Sequence, residues 1–129
     1  MTMNANILIV DDEEVMRDFL QDVLESFDVE LACDGEEAIS MLENKEYSLI
    51  ITDMKMPGKS GEDVVRFAKG KYPDSRIIII SGYSTLYSVG NALKCGVDAF
   101  LAKPFTIKQI RAEVDKSLSA DFGSSQLGV

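Results

Sequence analysis

Short apolar runs that alternate with helical patterns are the feature that most constrains how this chain folds. Five runs rich in Ile, Leu and Val occupy residues 7–10, 29–33, 48–52, 76–80 and 99–102. Their length and nearly continuous apolar character are typical of strands buried on both faces. Between them, apolar residues recur every three or four positions, and helix-ending residues follow at Gly70 to Pro73 and at Cys95-Gly96. The pattern predicts five strands that alternate with five helices.

An alternation of this kind predicts βαβ units. Because crossovers between such strands are right-handed, the strands run parallel and helices cover both faces of the sheet. The length of 129 residues suits one domain with a single substantial core. We therefore predict a small doubly wound α/β domain over residues 5–119. Residues 120–129, which carry Gly and Ser, are interpreted as a flexible tail, either the remnant of a linker or a scar of expression.

The acidic composition excludes several classes of partner. With 22 acidic and 13 basic residues the net charge is −9, and such a surface repels nucleic acid and anionic lipid. No apolar run approaches the roughly 20 residues of a membrane span, and residues 1–6 do not resemble a secretory leader. We expect a cytoplasmic protein that binds neither membrane nor nucleic acid directly.

Cysteine and histidine usage restricts the chemistry. Cys33 and Cys95 lie far apart and neither has a CxxC partner, so we predict two free, buried thiols and no zinc site. The chain contains no histidine. An imidazole of this chain therefore cannot act as base, metal ligand or phosphoryl carrier.

Charged and hydroxyl side chains follow four of the five predicted strands. Because parallel strands end at one edge of the sheet, where ligands bind, three carboxylates, a hydroxyl and an ammonium are expected to meet there; they belong to Asp11, Asp12, Asp53, Ser81 and Lys103. Glu13 and Glu14 follow Asp12 directly. Each also has a simpler interpretation. Asp12 could cap a helix whose dipole Glu13 and Glu14 complement, Asp53 and Ser81 could belong to turns, and Lys103 could be solvated. Four coincidences at four strand ends are less probable than one.

Converging carboxylates require a cation. Two unit charges about 4 Å apart repel by about 4 kcal/mol at an effective dielectric constant near 20. A few oxygen ligands with room for water and a phosphate suit Mg²⁺ better than a Ca²⁺ cage, and zinc lacks Cys and His ligands here. A carboxylate beside Mg²⁺, a lysine and a hydroxyl is also an arrangement suited to phosphoryl transfer.

Four motifs, "ILIVDDEE", "DMKMPGKSG", "IIIISGY" and "GVDAFLAKPF", carry a resemblance to a known family. In order and spacing they resemble the signatures of response-regulator receiver domains, the phosphoacceptor modules of two-component signalling, over about residues 5 to 119. The resemblance implies a flavodoxin-like fold with strand order 2-1-3-4-5. It also implies a sensor histidine kinase or a histidine phosphotransfer protein as partner, with an effector domain or a second copy of the chain downstream.

The resemblance also implies roles for individual residues. Asp53 would accept a phosphoryl group from a partner's phosphohistidine. Asp11, Asp12 and Asp53 would hold Mg²⁺ together with the backbone carbonyl of Lys55. Lys103 would pair with the phosphoryl oxygens and precede Pro104 in a cis peptide bond. Ser81 would move toward the phosphoryl group, and Phe100 is similar to the aromatic residue that turns inward when it does.

The segment after Ser81 is predicted to be a helix of low intrinsic stability, because Ser, Thr, Tyr, Val and Gly are weak helix formers. Together with the strand bearing Phe100 and the last helix, it is expected to form a switchable partner surface, although its apolar residues could merely pack on the sheet. Lys55 and Tyr83 each lie two residues beyond a site residue. We expect the lifetime of the phosphorylated state to depend on both.

Two other functions are compatible with this fold. A Mg²⁺-dependent phosphatase that forms an aspartyl phosphate needs its nucleophile after the first strand in an Asp-x-Asp pattern, which "DDEEV" does not supply. A phosphorylation-independent interaction module would not require the full set of Asp11, Asp12, Asp53, Ser81 and Lys103. The favoured prediction is a phosphoacceptor switch that catalyses only its own phosphorylation and slow dephosphorylation.

Overall fold

Five parallel strands form the centre of the molecule. A computed structural model describes residues 5–82, 90, 94 and 96–127, with side chains as far as residue 119. The strands are β1 Asn6–Val10, β2 Asp28–Ala32, β3 Leu49–Asp53, β4 Arg76–Ser81 and β5 Ala99–Ala102. They pair in the order β2-β1-β3-β4-β5, every pair parallel. The doubly wound sheet and its strand order are therefore confirmed, with boundaries within one residue of the predicted runs.

The described helices alternate with these strands. They are α1 Glu14–Val23, α2 Gly35–Asn44, α3 Gly61–Lys71 and a last helix, Ile107–Leu127. The helix predicted after Ser81 lies mostly outside the described residues. The last helix continues to Leu127, past residue 120, where we expected a flexible tail to begin. The domain boundary between residues 119 and 120 stays a prediction. Among the described helices, none is long and apolar enough to cross a membrane.

Two apolar clusters cover the two faces of the sheet. On one face, α2 and α3 pack against alternate strand residues such as Leu8 and Ile50. On the other, α1 and the last helix pack against their neighbours, such as Ile9 and Ile51. All four of these strand side chains are fully buried. Because both faces are covered, the central strands have no polar face, which explains why their sequence reads as continuous apolar runs.

Local sequence signals define how the helices begin. Asp34 is the N-cap of α2, and its carboxylate accepts a hydrogen bond from the Glu37 amide at 2.8 Å. Ser60 and Asp63 form a capping box at the start of α3. For α1 the N-cap is Glu13, without a side-chain hydrogen bond. The alternative in which Asp12 caps this helix is therefore wrong.

The prediction of buried thiols fails for Cys33, which is free and exposed. Cys33 follows the last residue of β2, and β2 is an edge strand. An edge strand has a neighbour on one side only, so the residue after it can face solvent. Cys95 lies outside the described residues.

Candidate functional site

The parallel register of the sheet brings the predicted site residues to one edge. Asp53, the last residue of β3, pairs with Ile80, one residue before Ser81. The Lys103 amide donates a hydrogen bond to the Ser81 carbonyl at 2.8 Å. Asp11 follows β1, and its amide donates to the carbonyl of Ala32 at 3.2 Å. Strand pairing alone therefore places the backbones of Asp11, Asp53, Ser81 and Lys103 along the carboxyl edge.

The Lys103 ammonium lies among three carboxylates. Its Nζ is 2.9 Å from Asp53 Oδ2, 3.2 Å from Asp11 Oδ2 and 3.3 Å from Glu13 Oε1. The Asp11 side chain is fully buried and that of Asp53 is 9% exposed, whereas that of Glu13 is 65% exposed. We refer to these four residues as the lysine cluster. The charge of one ammonium from a distant part of the chain therefore offsets only part of the negative charge of the cluster.

Burial and charge act in opposite directions on the groups of this cluster. Burial raises the pKa of Asp11 above its ordinary value; the hydrogen bond from the Glu13 amide and the charge of Lys103 act against this shift without cancelling it. For Lys103, burial lowers the pKa, but the hydrogen bond to Asp53 and the charge of Asp11 outweigh burial and raise it. The ammonium is therefore fully charged at neutral pH.

The Asp53 carboxylate is oriented by the loop that follows it. Its Oδ1 accepts a hydrogen bond from the Lys55 amide at 3.1 Å. This bond from residue i+2 is the contact of an Asx-turn, so the turn interpretation of Asp53 describes one carboxylate oxygen. The other oxygen, Oδ2, faces Lys103. Asp53 therefore takes part in a turn and in the lysine cluster at once.

Gly61 closes this loop against the backbone of Asp53. A Cβ added at Gly61 would lie 2.2 Å from the carbonyl oxygen of Asp53 and 2.8 Å from Cα of Met54. The Gly61 amide donates a hydrogen bond to the Met54 carbonyl at 3.0 Å. Because both close approaches are to backbone atoms, no side chain can turn away to make room. The start of α3 thus fixes the position of the Asp53 backbone.

The donor set of the site fits a hard divalent cation. Carboxylate oxygens of Asp11, Glu13 and Asp53 all lie within 4.8 Å of one another. Oxygen-only ligands are those that Mg²⁺ prefers. The exposed Asp12 does not join this group, but it lines the same open cavity of about 400 Å³ as Asp53, Lys55 and Lys103. The site can therefore hold a hydrated cation and an anionic group side by side.

Glu13 is the residue whose contact with Lys103 we did not predict. In the sequence, Glu13 was interpreted only as a complement to the helix dipole. The available signal was that Glu13 is the third acidic residue of "DDEE". The direction of its side chain, however, depends on a turn at Asp11, in which Asp11 Oδ1 accepts a hydrogen bond from the Glu13 amide at 2.8 Å. This turn brings the Glu13 side chain to the cavity.

The remaining predicted residues have different positions. Ser81 is fully buried at the end of β4. Phe100 is half-buried in β5 and packs against the cluster under α2 and α3. The peptide bond between Lys103 and Pro104 is cis. Lys55 is exposed beside the cavity, and Tyr83 lies outside the described residues.

Fold and site together define a class of protein, an α/β domain whose doubly wound parallel sheet carries an acidic, lysine-bearing cavity at its carboxyl edge. A family model described as the response regulator receiver domain matches residues 7–115. This span includes the ends of β1, β3 and β5, which carry the residues of the lysine cluster. The chain belongs to the response regulator receiver domain family, whose members are phosphoacceptor signalling modules of two-component systems.

Two curated relatives match most of the chain. The response regulator protein PilR of Pseudomonas aeruginosa is 34% identical over 113 residues, which are 86% of this chain and 25% of PilR. Sporulation initiation phosphotransferase F of Bacillus subtilis is 33% identical over 118 residues, which are 90% of this chain and 95% of that protein. The chain therefore spans a quarter of one relative and nearly all of the other.

Solved structures agree with the fold. A CheY-like receiver domain protein from Methanospirillum hungatei superposes with a TM-score of 0.90 at 27% identity, over 95% of this chain and 99% of that one. A response regulator from Burkholderia pseudomallei, described with a phosphorylated aspartic acid, a calcium ion and citrate, gives 0.80 at 28% identity, over 97% of this chain and 75% of that one. The receiver-domain resemblance is thus confirmed.

Proposed function

We propose that this receiver domain accepts a phosphoryl group on Asp53 from a phosphohistidine of a sensor kinase or a histidine phosphotransfer protein. The observation that carries the proposal is the Lys103 ammonium, which lies 2.9 Å from Asp53 Oδ2 and 3.2 Å from the buried Asp11. A buried cation beside a carboxylate nucleophile is the electrostatic arrangement that phosphoryl transfer requires. The phosphorylated aspartic acid of the Burkholderia relative supports the same assignment.

The transfer proceeds by attack of a carboxylate oxygen of Asp53 on phosphorus. The bond from phosphorus to the donor's imidazole nitrogen breaks, and the nitrogen keeps the electron pair and is protonated by solvent. Lys103 then contacts the phosphoryl oxygens and offsets their negative charge. Because none of these 129 residues is a histidine, the donor is a phosphohistidine outside this sequence or a small phosphodonor such as acetyl phosphate.

Magnesium dependence is part of this proposal. Asp11, Asp12 and Asp53 would hold Mg²⁺ with the backbone carbonyl of Lys55, and the position of Glu13 adds a further carboxylate to the same cavity. When bound, the ion offsets negative charge on the transferring group. The chain's own residues do the remaining work: Asp53 attacks, Lys103 neutralises, and the Lys55 amide holds Asp53 Oδ1 in place.

The proposed output is a change in a protein-interaction surface. Ser81 pairs with Ala102 in the sheet, and Ile79 pairs with Phe100. A movement of Ser81 toward a phosphoryl group therefore acts on the strand that carries Phe100. We include in this surface the segment after Ser81, β5 and the last helix. The partner that binds it is an effector domain or a second copy of the chain. Amide exchange that stays unchanged in β5 and the last helix on phosphorylation would contradict this surface.

Intact mass spectrometry tests the phosphoacceptor function. With Mg²⁺ and acetyl phosphate we expect the protein to gain one phosphoryl group, and to gain none in EDTA or as Asp53→Ala. Stable mass under every condition would favour a phosphorylation-independent interaction module. Rapid turnover of varied phosphoesters would favour a phosphatase instead.

Lys55 and Tyr83 are proposed to set the lifetime of the phosphorylated state. The Lys55 side chain is exposed beside the cavity that contains Asp53, where it can alter the approach of water. Dephosphorylation is timed by mass after removal of the phosphodonor, for Lys55→Ala and for Tyr83→Ala. Rates equal to that of the unmodified sequence in both variants would remove these residues from the proposal.

A further inference from the structure

Glu13 differs from the other carboxylates of the lysine cluster because it lies at the surface. Its side chain is 65% exposed, against 0% for Asp11 and 9% for Asp53. Glu13 occupies the N-cap position of α1, where a side chain often accepts a hydrogen bond from the helix, but it makes no such bond. Its Oε1 lies 3.3 Å from Lys103 Nζ instead. The carboxylate is therefore committed to the lysine and not to the helix.

The three carboxylates match the hydrogen-bonding capacity of Lys103. An ammonium group has three N–H donors and no acceptor. Asp53, Asp11 and Glu13 provide three acceptors at 2.9, 3.2 and 3.3 Å. A phosphoryl group that arrives at Asp53 therefore has to compete for a donor that is already in use. Asp11 and Asp53 are fixed by burial, so Glu13 is the partner that can most easily be exchanged.

The position of Glu13 also places a negative charge where the phosphoryl group would enter. Glu13 lines the same open cavity as Asp53, Lys55 and Lys103. A phosphoryl group brings further negative charge into this cavity, and charges of like sign a few ångströms apart repel. Both the competition for Lys103 and this repulsion favour the unphosphorylated form.

We propose that Glu13 is a positioning residue that holds Lys103 in the unphosphorylated arrangement and thereby limits phosphoryl acceptance at Asp53. This inference rests on the proposed phosphoacceptor function and adds a regulator of it. Without the Glu13 charge, Lys103 retains its contacts with Asp11 and Asp53, and its third N–H is held more weakly and is released more easily to the incoming group. Removal of that charge accordingly increases the rate of phosphorylation.

The test compares Glu13→Gln with Glu14→Gln. Both substitutions remove one negative charge from neighbouring exposed positions at the start of α1. Of these two glutamates, only Glu13 has a described contact with Lys103. With acetyl phosphate and Mg²⁺, we expect Glu13→Gln to gain a phosphoryl group about fivefold faster than the unmodified sequence, and Glu14→Gln to stay within about twofold. Affinity for beryllium fluoride, a phosphoryl mimic, is expected to rise in parallel when measured by fluorine NMR. Equal rates and affinities in the two variants would overturn the proposal.

The same substitution made in Lys103→Gln protein shows whether Glu13 acts through Lys103 or by direct repulsion of the phosphodonor. In Lys103→Gln protein, the effect of Glu13→Gln on mimic affinity is expected to fall to within about twofold, because no ammonium remains to be held. An undiminished effect would overturn the assignment to Lys103.

Failure of the proposed function gives a different result. The unmodified sequence would then gain no phosphoryl group, and both the proposed function and this inference would be overturned. If the unmodified sequence is phosphorylated but Glu13→Gln is not phosphorylated faster, only this inference is overturned.

Discussion

The two edges of the sheet carry similar polar side chains and use them differently. At the amino edge, several side chains bond to backbone groups of neighbouring segments. Asn6 Nδ2 donates to the carbonyl of Glu46 at 2.8 Å, and the buried Ser75 hydroxyl donates to the carbonyl of Tyr47 at 2.7 Å. Such bonds satisfy backbone groups that the sheet itself leaves open. These two side chains therefore serve the fold.

At the carboxyl edge, side chains bond to one another. Lys103 contacts Asp11 and Asp53 there, and both carboxylates are buried. Charged partners of this kind can be exchanged for a cation or a phosphoryl group without loss of a backbone hydrogen bond. The difference between the edges lies in the burial of their charges: the amino-edge pair of Arg76 and Asp98 has side chains 20% and 26% exposed, whereas those of Asp11 and Asp53 are at most 9% exposed.

Two lysines show the contrast between an exposed and a buried ion pair. Lys45 pairs with Glu30 on the surface of the edge strand, with side chains 42% and 35% exposed, and its Nζ lies 5.4 Å from the ring centroid of Tyr47. Lys103 is 16% exposed among its carboxylates. Exposed pairs contribute little to stability, whereas removal of one partner from a buried pair leaves an uncompensated charge. The two lysines should therefore differ in what their loss costs.

Substitution of each lysine by glutamine tests this contrast and has the largest expected effect. In EDTA, we expect Lys103→Gln to lower the free energy of unfolding by about 2–3 kcal/mol, because Asp11 and Asp53 lose their shared cation. Lys45→Gln is expected to cost much less, because water screens the exposed pair. Urea unfolding at neutral pH measures both. Equal losses would show that water reaches the lysine cluster as freely as it reaches the surface pair.

The two ends of α3 allow a second test, because this helix runs from the carboxyl edge toward the amino edge. Gly61 lies against the backbone of Asp53, whereas a Cβ at Gly70 would meet no atom within 4 Å. We expect Gly61→Ala to destabilise the protein by about 2 kcal/mol through overpacking. Gly70→Ala is expected to stabilise it by up to about 1 kcal/mol, since alanine favours the helix. A neutral Gly61→Ala in urea unfolding would mean that the loop after Asp53 adjusts freely.

Most of the fold could be predicted because strands that are buried on both faces have a recognisable, nearly continuous apolar sequence. The residues around Ile50 and Ile78 have fully buried side chains, so these parts of the strands are almost entirely apolar. The meeting of Asp53 and Lys103 was predictable because parallel strands end at one edge, whatever the details of packing. These inferences depend on strand direction alone, which sequence periodicity indicates.

Other features depend on local geometry that periodicity does not contain. The contact of Glu13 with Lys103 arises from a turn at Asp11, and a turn can direct a side chain to either side of a strand end. Exposure of Cys33 follows from the edge position of β2. That position in the sheet order came from the receiver-domain resemblance and not from the composition of the run itself.

The surface ion pair predicts a pH dependence, which is the smallest effect in the comparison. The hydrogen bonds from Lys45 and Tyr47 lower the pKa of Glu30 below its ordinary value of 4.5. A carboxyl group with a lowered pKa in the folded state stabilises the fold above its unfolded pKa, and this stabilisation is lost as pH falls through the folded value. Glu30→Gln should therefore reduce the free energy of unfolding at pH 7 by less than about 1 kcal/mol, a figure kept small by solvent screening. The difference should shrink as the pH falls below 4.5.

Urea unfolding of both proteins at pH 7 and at pH 3 measures this change. Lys45→Gln is the matched variant, because it removes the first of the two donors that lower the pKa of Glu30 and leaves the Tyr47 hydroxyl, which lies 2.6 Å from Glu30 Oε1. It should therefore retain part of the pH dependence, whereas Glu30→Gln loses all that this carboxyl group contributes. A difference between Glu30→Gln and the unmodified sequence that stays constant from pH 7 to pH 3 would show that Glu30 contributes by packing. The surface group would then differ from the lysine cluster in kind, since charge holds only the latter together.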